Sequence, residues 1–263
     1  MNIQVLIATM NQNDHSLLEK MNIQTDAIVG NQCDRNDVER FNYNGHNIAW
    51  YSFAERGVGL NRNNALMRAT ADIGLLADDD MVYVKSYDEI VKKAFQEIPD
   101  ADVIVFDLIY PHGDRCPIKK IQRLNKKNCM RFGTARLAVR LSRIHLNGIS
   151  FNLCFGGGAK HSSGEDSLFL NECLNKKLKV YSYPAVIAKL QDERESTWFQ
   201  GYNDKFFYDK GVLYYLLNRK FCGLFAGYHC IKHRIKYKTY GWFNAWKQMR
   251  VGIKSAKASS GRE

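Results

Sequence analysis

Apolar residues run unbroken over positions 3–8 and stop at a polar set, Thr9, Asn11, Gln12, Asn13 and Asp14, after which 16–21 take up helical spacing. A run of that length and β-branched content predicts a strand, and the polar set and helical spacing beyond it predict a loop and a helix. The pattern then recurs. Residues 26–30 read as a second strand closed by Asn31, Gln32, Cys33 and Asp34, and 48–53 as a third. Residues 57–70 open with two glycines and continue as a helix with Leu60, Ala65, Leu66 and Ala69 facing inward. A fourth strand, 73–77, ends on three aspartates; 87–98 is helical, and 102–109 is apolar enough for burial on both faces. After a glycine-bearing stretch at 151–158, a helix is predicted at 167–174 and a strand at 179–183.

Strands alternating with helices predict an α/β fold built on a mostly parallel, doubly wound sheet flanked by helices. In such a sheet ligands bind beyond the carboxyl ends of the strands, where Thr9, Asn31 and Asp78 fall. Beyond Thr197 the pattern is helical only: Leu213, Leu217, Phe221, Leu224, Tyr228, Ile231 and Ile235 keep three-to-four spacing, as do Trp242, Trp246, Met249 and Ile253. The chain's 263 residues, 45% hydrophobic, can bury a core, and only four prolines interrupt them. With no Ser/Gly/Pro-rich stretch before the tail after Lys254, no interdomain linker is expected.

The net charge of +11 would suit a nucleic-acid binder if it were spread out, but it is concentrated at one end. Residues 210–262 hold 12 Lys/Arg and no acid, so that 1–209 balance 26 basic against 26 acidic side chains. Within that body, 1–114 carry 9 basic and 18 acidic residues, whereas 115–143 carry ten Lys/Arg and no acid. An acidic half therefore meets a basic belt, and nucleic acid is not the expected partner.

Seven cysteines lie singly without CxxC spacing, which points to reduced thiols in a cytosol and away from zinc. The opening MNIQVLIATMNQND reads as a strand and not as a signal peptide. No run approaches the roughly 18 apolar residues of a membrane span. The expectation is a cytoplasmic protein, peripheral on the inner face of the plasma membrane. The basic tail supports that placement: Lys232, Arg234, Lys236, Lys238, Lys247, Arg250, Lys254 and Lys257, interleaved with Trp242, Phe243 and Trp246, suit an anionic membrane surface. A helical appendage with merely solvated charge is the plainer alternative.

Three local patterns carry chemistry. Asp78-Asp79-Asp80 at the end of a buried strand places three carboxylates side by side, a repulsion that a divalent cation would relieve. Mg²⁺ or Mn²⁺, which prefer oxygen ligands, are the expected ions, and a solvated acidic turn is the alternative. Gly57-Val58-Gly59-Leu60-Asn61-Arg62 feeds a helix whose N–H groups suit an anion, with Arg56 and Arg62 as charged donors for a diphosphate. Gly156-Gly157-Gly158 lets backbone approach a ligand, and Glu165-Asp166 follows at a helix start, where one carboxylate can enter a cleft while the other caps.

Together these features resemble the inverting family-2 glycosyltransferases of the GT-A fold. The matching pieces are VLIATMNQ, the block GVGLNRNNALMRATADIGLLADDDMVY with its DXD-like aspartates, and FGGGAKHSSGEDSLFLNECL, similar to the family's ED motif. The resemblance spans roughly residues 1–200. It implies a Rossmann-like GT-A domain over 1–200, with a donor-binding half (1–114) and an acceptor half (115–200), and a helical basic extension over 201–263. It further implies transfer of a single sugar, with inversion, from a nucleotide-diphosphate sugar to a glycan or polyprenyl-diphosphate-linked acceptor, in bacterial surface polysaccharide synthesis.

By that resemblance Thr9, Asn11, Asn31 and Asp34 would hold the base and ribose, Arg62 would approach the phosphates with Arg56 and Asn61 also among the donor-binding residues, and Asp78, Asp79 and Asp80 would divide ribose contact and metal ligation among them, Asp78 and Asp79 on the donor. Asp78 and Asp80 would hold Mn²⁺ or Mg²⁺. Asp166 would be the general base and Glu165 would brace the helix or touch the acceptor, and Gly157 and Gly158 would belong to the acceptor site or lid together with Lys189 and Trp198. The chain departs from the family where a further metal ligand, a His, is often found. Lys189 stands after Val186-Ile187-Ala188, so either water completes the metal shell or Lys189 meets phosphate. No QxxRW sequence is present, which disfavours processive synthesis. Trp198, in a segment over 195–199 expected to close over the donor, would stack on a sugar or sit in the core. The rival readings are a nucleotidyltransferase acting on a sugar phosphate, which should carry a glycine-rich basic loop where MNQND stands, and a non-enzymatic basic protein that binds membrane or nucleic acid.

Overall fold

The alternation of strands and helices is realised in the computed structural model, which describes residues 1–111, 113, 116–191, 199 and 201–260. In chain order the elements are β1 (Ile3–Met10), α1 (Leu17–Lys20), β2 (Asp26–Gln32), β3 (Asp37–Tyr43), β4 (His46–Phe53), α2 (Val58–Arg68), β5 (Ile73–Asp78), β6 (Met81–Tyr83) and α3 (Tyr87–Glu97). Next come β7 (Val103–Ile109), β8 (Gln122–Arg123), β9 (Leu137–Arg140), α4 (Leu141–Leu146), α5 (Glu165–Asn175), β10 (Val180–Leu190), α6 (Asp204–Leu217), α7 (Cys222–Lys232) and α8 (Trp242–Ser260). The strand expected at 179–183 runs on to Leu190 and carries Lys189 with it.

One sheet has the strand order β3-β4-β2-β1-β5-β9-β7-β10-β6, with β8 also paired to β10. Strands β4, β2, β1 and β5 are parallel to one another, as are β7 and β10. Antiparallel pairing joins β3 to β4, β9 to both β5 and β7, and β6 and β8 to β10. The sheet is therefore mixed, which corrects the expectation of a mostly parallel one. The reversed strands β3, β6, β8 and β9 are short, polar or embedded in the basic belt, so none shows the continuous apolar run that marks a strand buried on both faces.

Period-two alternation explains why the central strands read as unbroken apolar runs. Ile3, Val5 and Ile7 of β1 face a core shared with α1 and α3, whereas Leu6 faces another shared with α2, α4 and α5. The C-terminal helices pack by close backbone approach. A Cβ at Gly211 of α6 would lie 2.0 Å from the Met249 carbonyl oxygen of α8, and one at Gly252 would lie 2.1 Å from that of Tyr208. Helix α6 also packs on the body, where Val212 and Leu213 bury against Phe155. Among the described residues no helix is long and apolar enough to cross a membrane.

Candidate active site

The two glycine loops, 57–59 and 156–158, nearly a hundred residues apart in sequence, are fitted to each other. The Val58 N–H donates to the Gly157 carbonyl at 2.9 Å. Gly158, at φ +78°, leaves only 3.1 Å between a would-be Cβ and the Gly57 nitrogen, and a Cβ at Gly59 would stand 2.9 Å from the Asn152 carbonyl oxygen. The glycines thus permit backbone to approach backbone. Asn63 adds a strap, its amide exchanging bonds of 2.9 and 2.7 Å with the Phe151 carbonyl and N–H. The start of α2 is thereby clamped beside the start of α5, and Arg62 meets the Glu-Asp pair.

Arg62 is buried over the Phe151 ring at 5.5 Å and gathers three carboxylates. It donates to Asp78 Oδ1 at 2.5 Å and to Glu165 Oε1 at 3.1 Å, and lies 3.6 Å from Asp166 Oδ1. Burial disfavours its charge, but Asp78, Asp166 and Glu165 overcome that and raise its pKa above the ordinary arginine value. Glu165, 12% exposed, accepts the Gly164 N–H at 3.0 Å. Burial and then the charge of Asp166 push its carboxyl up to about 7, against the opposing pull of Arg62. Asp166 is more open at 32% and accepts the Thr134 hydroxyl at 2.5 Å.

The strand ends supply the opposite wall. The Thr9 hydroxyl donates to Asp79 Oδ2 at 2.6 Å and receives the Gln12 amide at 2.9 Å. Asn31, fully buried, holds the loop after β1 by paired 3.0 Å bonds to the Gln12 N–H and carbonyl. Asn61 is 1% exposed and its amide donates to the Thr9 and Gly30 carbonyls at 3.2 and 2.7 Å, so it braces the strand ends from beneath. Arg56 reaches Asn11 Oδ1 at 3.5 Å and the Cys33 carbonyl at 3.4 Å, and Asp34 is exposed at the same rim. Lys189, exposed on β10, sits in register with Val82, and the next residue but one, Gln191, donates its N–H to the Asp80 carbonyl at 2.8 Å. Trp198 lies outside the described residues.

Of the residues singled out in the sequence, the structure brings Asp78, Arg62, Glu165 and Asp166 into one network and Thr9 and Asp79 into another beside it. The acidic repulsion inferred for residues 78–80 is met in part by Arg62 and by the Thr9 hydroxyl. Among the described residues no group of three or more His, Cys, Asp and Glu forms a metal cage. Several supports carry no sequence signal. Thr134 sits in the basic belt without a pattern to mark it, and Gln32, whose Oε1 accepts the Gly57 N–H at 2.7 Å, ends a strand as any polar residue would. His161 and Asp209 form a 2.7 Å buried pair across 48 positions. Burial would raise Asp209, but bonds from His161, Lys205 and the Ser162 N–H bring it down to about 2.

No family model matches the sequence, and no curated protein matches it. Solved structures do. Residues 1–349 of S. aureus TarS in complex with UDP-GlcNAc superpose with a TM-score of 0.62 at 17% identity, over 83% of this chain and 67% of that one. The same fragment in complex with UDP gives 0.59 at 16% identity, over 96% of this chain and 81% of that one. A longer TarS chain gives 0.58 at 16% identity, and here the match spans 83% of this chain but 40% of TarS. The likeness is one of fold: this chain has the GT-A-like glycosyltransferase architecture.

Proposed function

We propose that this chain is a glycosyltransferase that moves a single sugar from a nucleotide-diphosphate sugar to a hydroxyl of a glycan or lipid-linked acceptor, with inversion, in the synthesis of a bacterial surface polysaccharide. One observation carries the reading. Arg62 ties Asp78, at the carboxyl end of β5, to Glu165 and Asp166, at the start of α5. A strand-end aspartate and a helix-start acid pair thus share one ionic network, on a fold in common with a protein solved with UDP-GlcNAc and UDP.

In this reading the nucleotide lies against the loop after β1, among Thr9, Asn11, Asp79 and Arg56. The acceptor hydroxyl attacks the anomeric carbon from the face opposite the nucleoside diphosphate, the bond to that diphosphate breaks, and the hydroxyl proton passes to Asp166. Thr134, bonded to Oδ1, fixes the orientation of that carboxylate. Glu165, turned inward onto Arg62 and Gly164, positions the guanidinium and not the proton. Mg²⁺ or Mn²⁺ fits the donors at the end of β5, because Asp78 and Asp80 offer only hard oxygens and such ions take one or two carboxylates with phosphate and water completing the shell. When bound, the ion would offset charge on the departing diphosphate. A polyprenyl-diphosphate-linked acceptor and attachment of the basic helices to an anionic membrane from the cytoplasm complete the proposal.

Asp166→Asn tests it. Donor binding, followed as a thermal shift with UDP-, GDP-, dTDP- and CMP-sugars with and without Mn²⁺, should persist, while transfer falls about 10²–10⁴-fold. Near-normal turnover in that variant would remove the base assignment.

A further inference from the structure

The turn that leads into the carboxylate pair packs against α6, the first of the C-terminal helices. Lys210 stands on α6 beside Asp209, whose carboxylate bonds His161 Nδ1 and accepts the Ser162 N–H at 3.1 Å, and one turn before Leu213, which lies against Gly164. Both contacts fall on the turn leading into Glu165, which brings this part of α6, Lys210 included, to the same end of α5. Its ammonium lies 5.7 Å from the centre of the Phe206 ring, which is 5.3 Å from that of Tyr202. Lys236 lies 5.7 Å from the same Tyr202 ring. The His233 ring lies tilted 5.9 Å from that of Tyr237, itself 5.0 Å from Tyr202.

Two ammonium groups and an imidazole therefore converge on one aromatic cluster. Among the described residues neither lysine has a carboxylate at ion-pair distance, and residues 210–262 contain no acid to supply one. Glu165 and Asp166 are engaged with Arg62. Burial lowers the Lys210 pKa and Lys236 pushes the same way, while Glu165 and Asp166 oppose them. Burial, followed by Lys232, Lys236 and Lys210, also lowers His233, which leaves a neutral ring with an N–H to donate at pH 7. Cations held together in this way favour an anion between them, and the half-buried faces of Tyr202 and Phe206 suit the apolar face of a sugar.

We propose that Lys210, Lys236 and His233 form an oxyanion subsite for the acceptor, so that the acceptor carries a phosphate or carboxylate close to the hydroxyl that receives the sugar. The proposal rests on the glycosyltransferase reading for its role, though not for the existence of the subsite. Its test uses the full chain saturated with UDP, to fill the donor cleft, and titrates glycerol 3-phosphate, glucuronate and neutral glycerol by calorimetry at constant ionic strength. One of the two anions should bind and glycerol should not, which also tells phosphate from carboxylate. In Lys210→Gln/Lys236→Gln the anion affinity should fall at least tenfold with UDP affinity unchanged, and Lys236→Arg should restore most of it in the single-site background. If the double variant does not fold, the exposed Lys236→Gln alone should lose threefold or more. Failure of both anions to bind, or equal binding to wild type and variants, overturns the subsite. Should no UDP, GDP, dTDP or CMP bind while the anion effect persists, the nucleotide-sugar reading falls and the subsite stands.

Discussion

Glu165 shows how a single group reports on the packing around it. Its carboxyl is pushed up to about 7 by burial and by Asp166, from the 4.5 of an unhindered glutamate, so the folded chain binds that proton more tightly than the unfolded chain. The stability this contributes is whole below about pH 4.5 and is lost as pH rises through about 7. With roughly 1.4 kcal/mol per pH unit for a full proton of difference, the loss is on the order of 3 kcal/mol. Glu165→Gln cannot titrate and should remove this slope, whatever constant amount it costs by weakening the contact with Arg62. Denaturant unfolding at several pH values between 4 and 8 should therefore give curves for wild type and variant that diverge across that window. Parallel curves would mean that Arg62 keeps Glu165 ionised throughout.

At the scale of elements, close backbones govern how α6 meets α8. Because a Cβ at Gly211 would stand 2.0 Å from a carbonyl oxygen, Gly211→Ala cannot be absorbed by a side-chain rotation and must part the two helices. A loss of about 1–3 kcal/mol is expected, read as a lower midpoint of unfolding. Gly223→Ala, with no atom within 4 Å of the added carbon, should be neutral or slightly stabilising as an exposed helical change. Equal effects of the two would show that α6 and α8 are not packed as closely as described. Such contacts leave no mark in the sequence, whereas the parallel strands are legible there because burial on both faces produces an unbroken apolar run. The reversed strands lack that mark: β3 alternates exposed and half-buried positions at the sheet edge, β6 has three residues, and β9 is the apolar end of a basic stretch. One further signal is present, since Asn44-Gly45, with φ of 51° and 86°, forms the tight turn of the β3–β4 hairpin. The candidate site is legible as three local patterns, but Thr134 and Asp209 act through contacts that no sequence spacing announces. The glycine loops suggest ligand cradles, and in the fold their first use is to seat α2 against the turn before α5.

At the scale of the molecule, charge and apolar exposure are segregated together. Nine of the sixteen exposed large hydrophobic side chains among the described residues lie between Phe221 and Val251, including Leu224 at 70% and Ile235 at 82% exposure. Lysines and arginines flank them and cover some of their rings, with Lys220 5.3 Å over Phe221 and Lys232 5.8 Å over Tyr228. Exposed apolar side chains gathered in this number on one segment are unusual on a protein surrounded only by water, and a segment 210–262 with twelve basic residues and no acid suits an anionic bilayer. Each basic side chain near such a surface contributes on the order of 1 kcal/mol, so attachment should be reversible and fall with salt. The chain should therefore sediment with phosphatidylglycerol vesicles at low salt, far less with phosphatidylcholine, and Leu224→Glu/Ile235→Glu should reduce the bound fraction severalfold without lowering the midpoint of unfolding, since both side chains already face outward. A chain that stays in the supernatant with anionic vesicles at low salt would leave this face to a protein partner, and the sugar transfer proposed for the cleft would then proceed away from a bilayer.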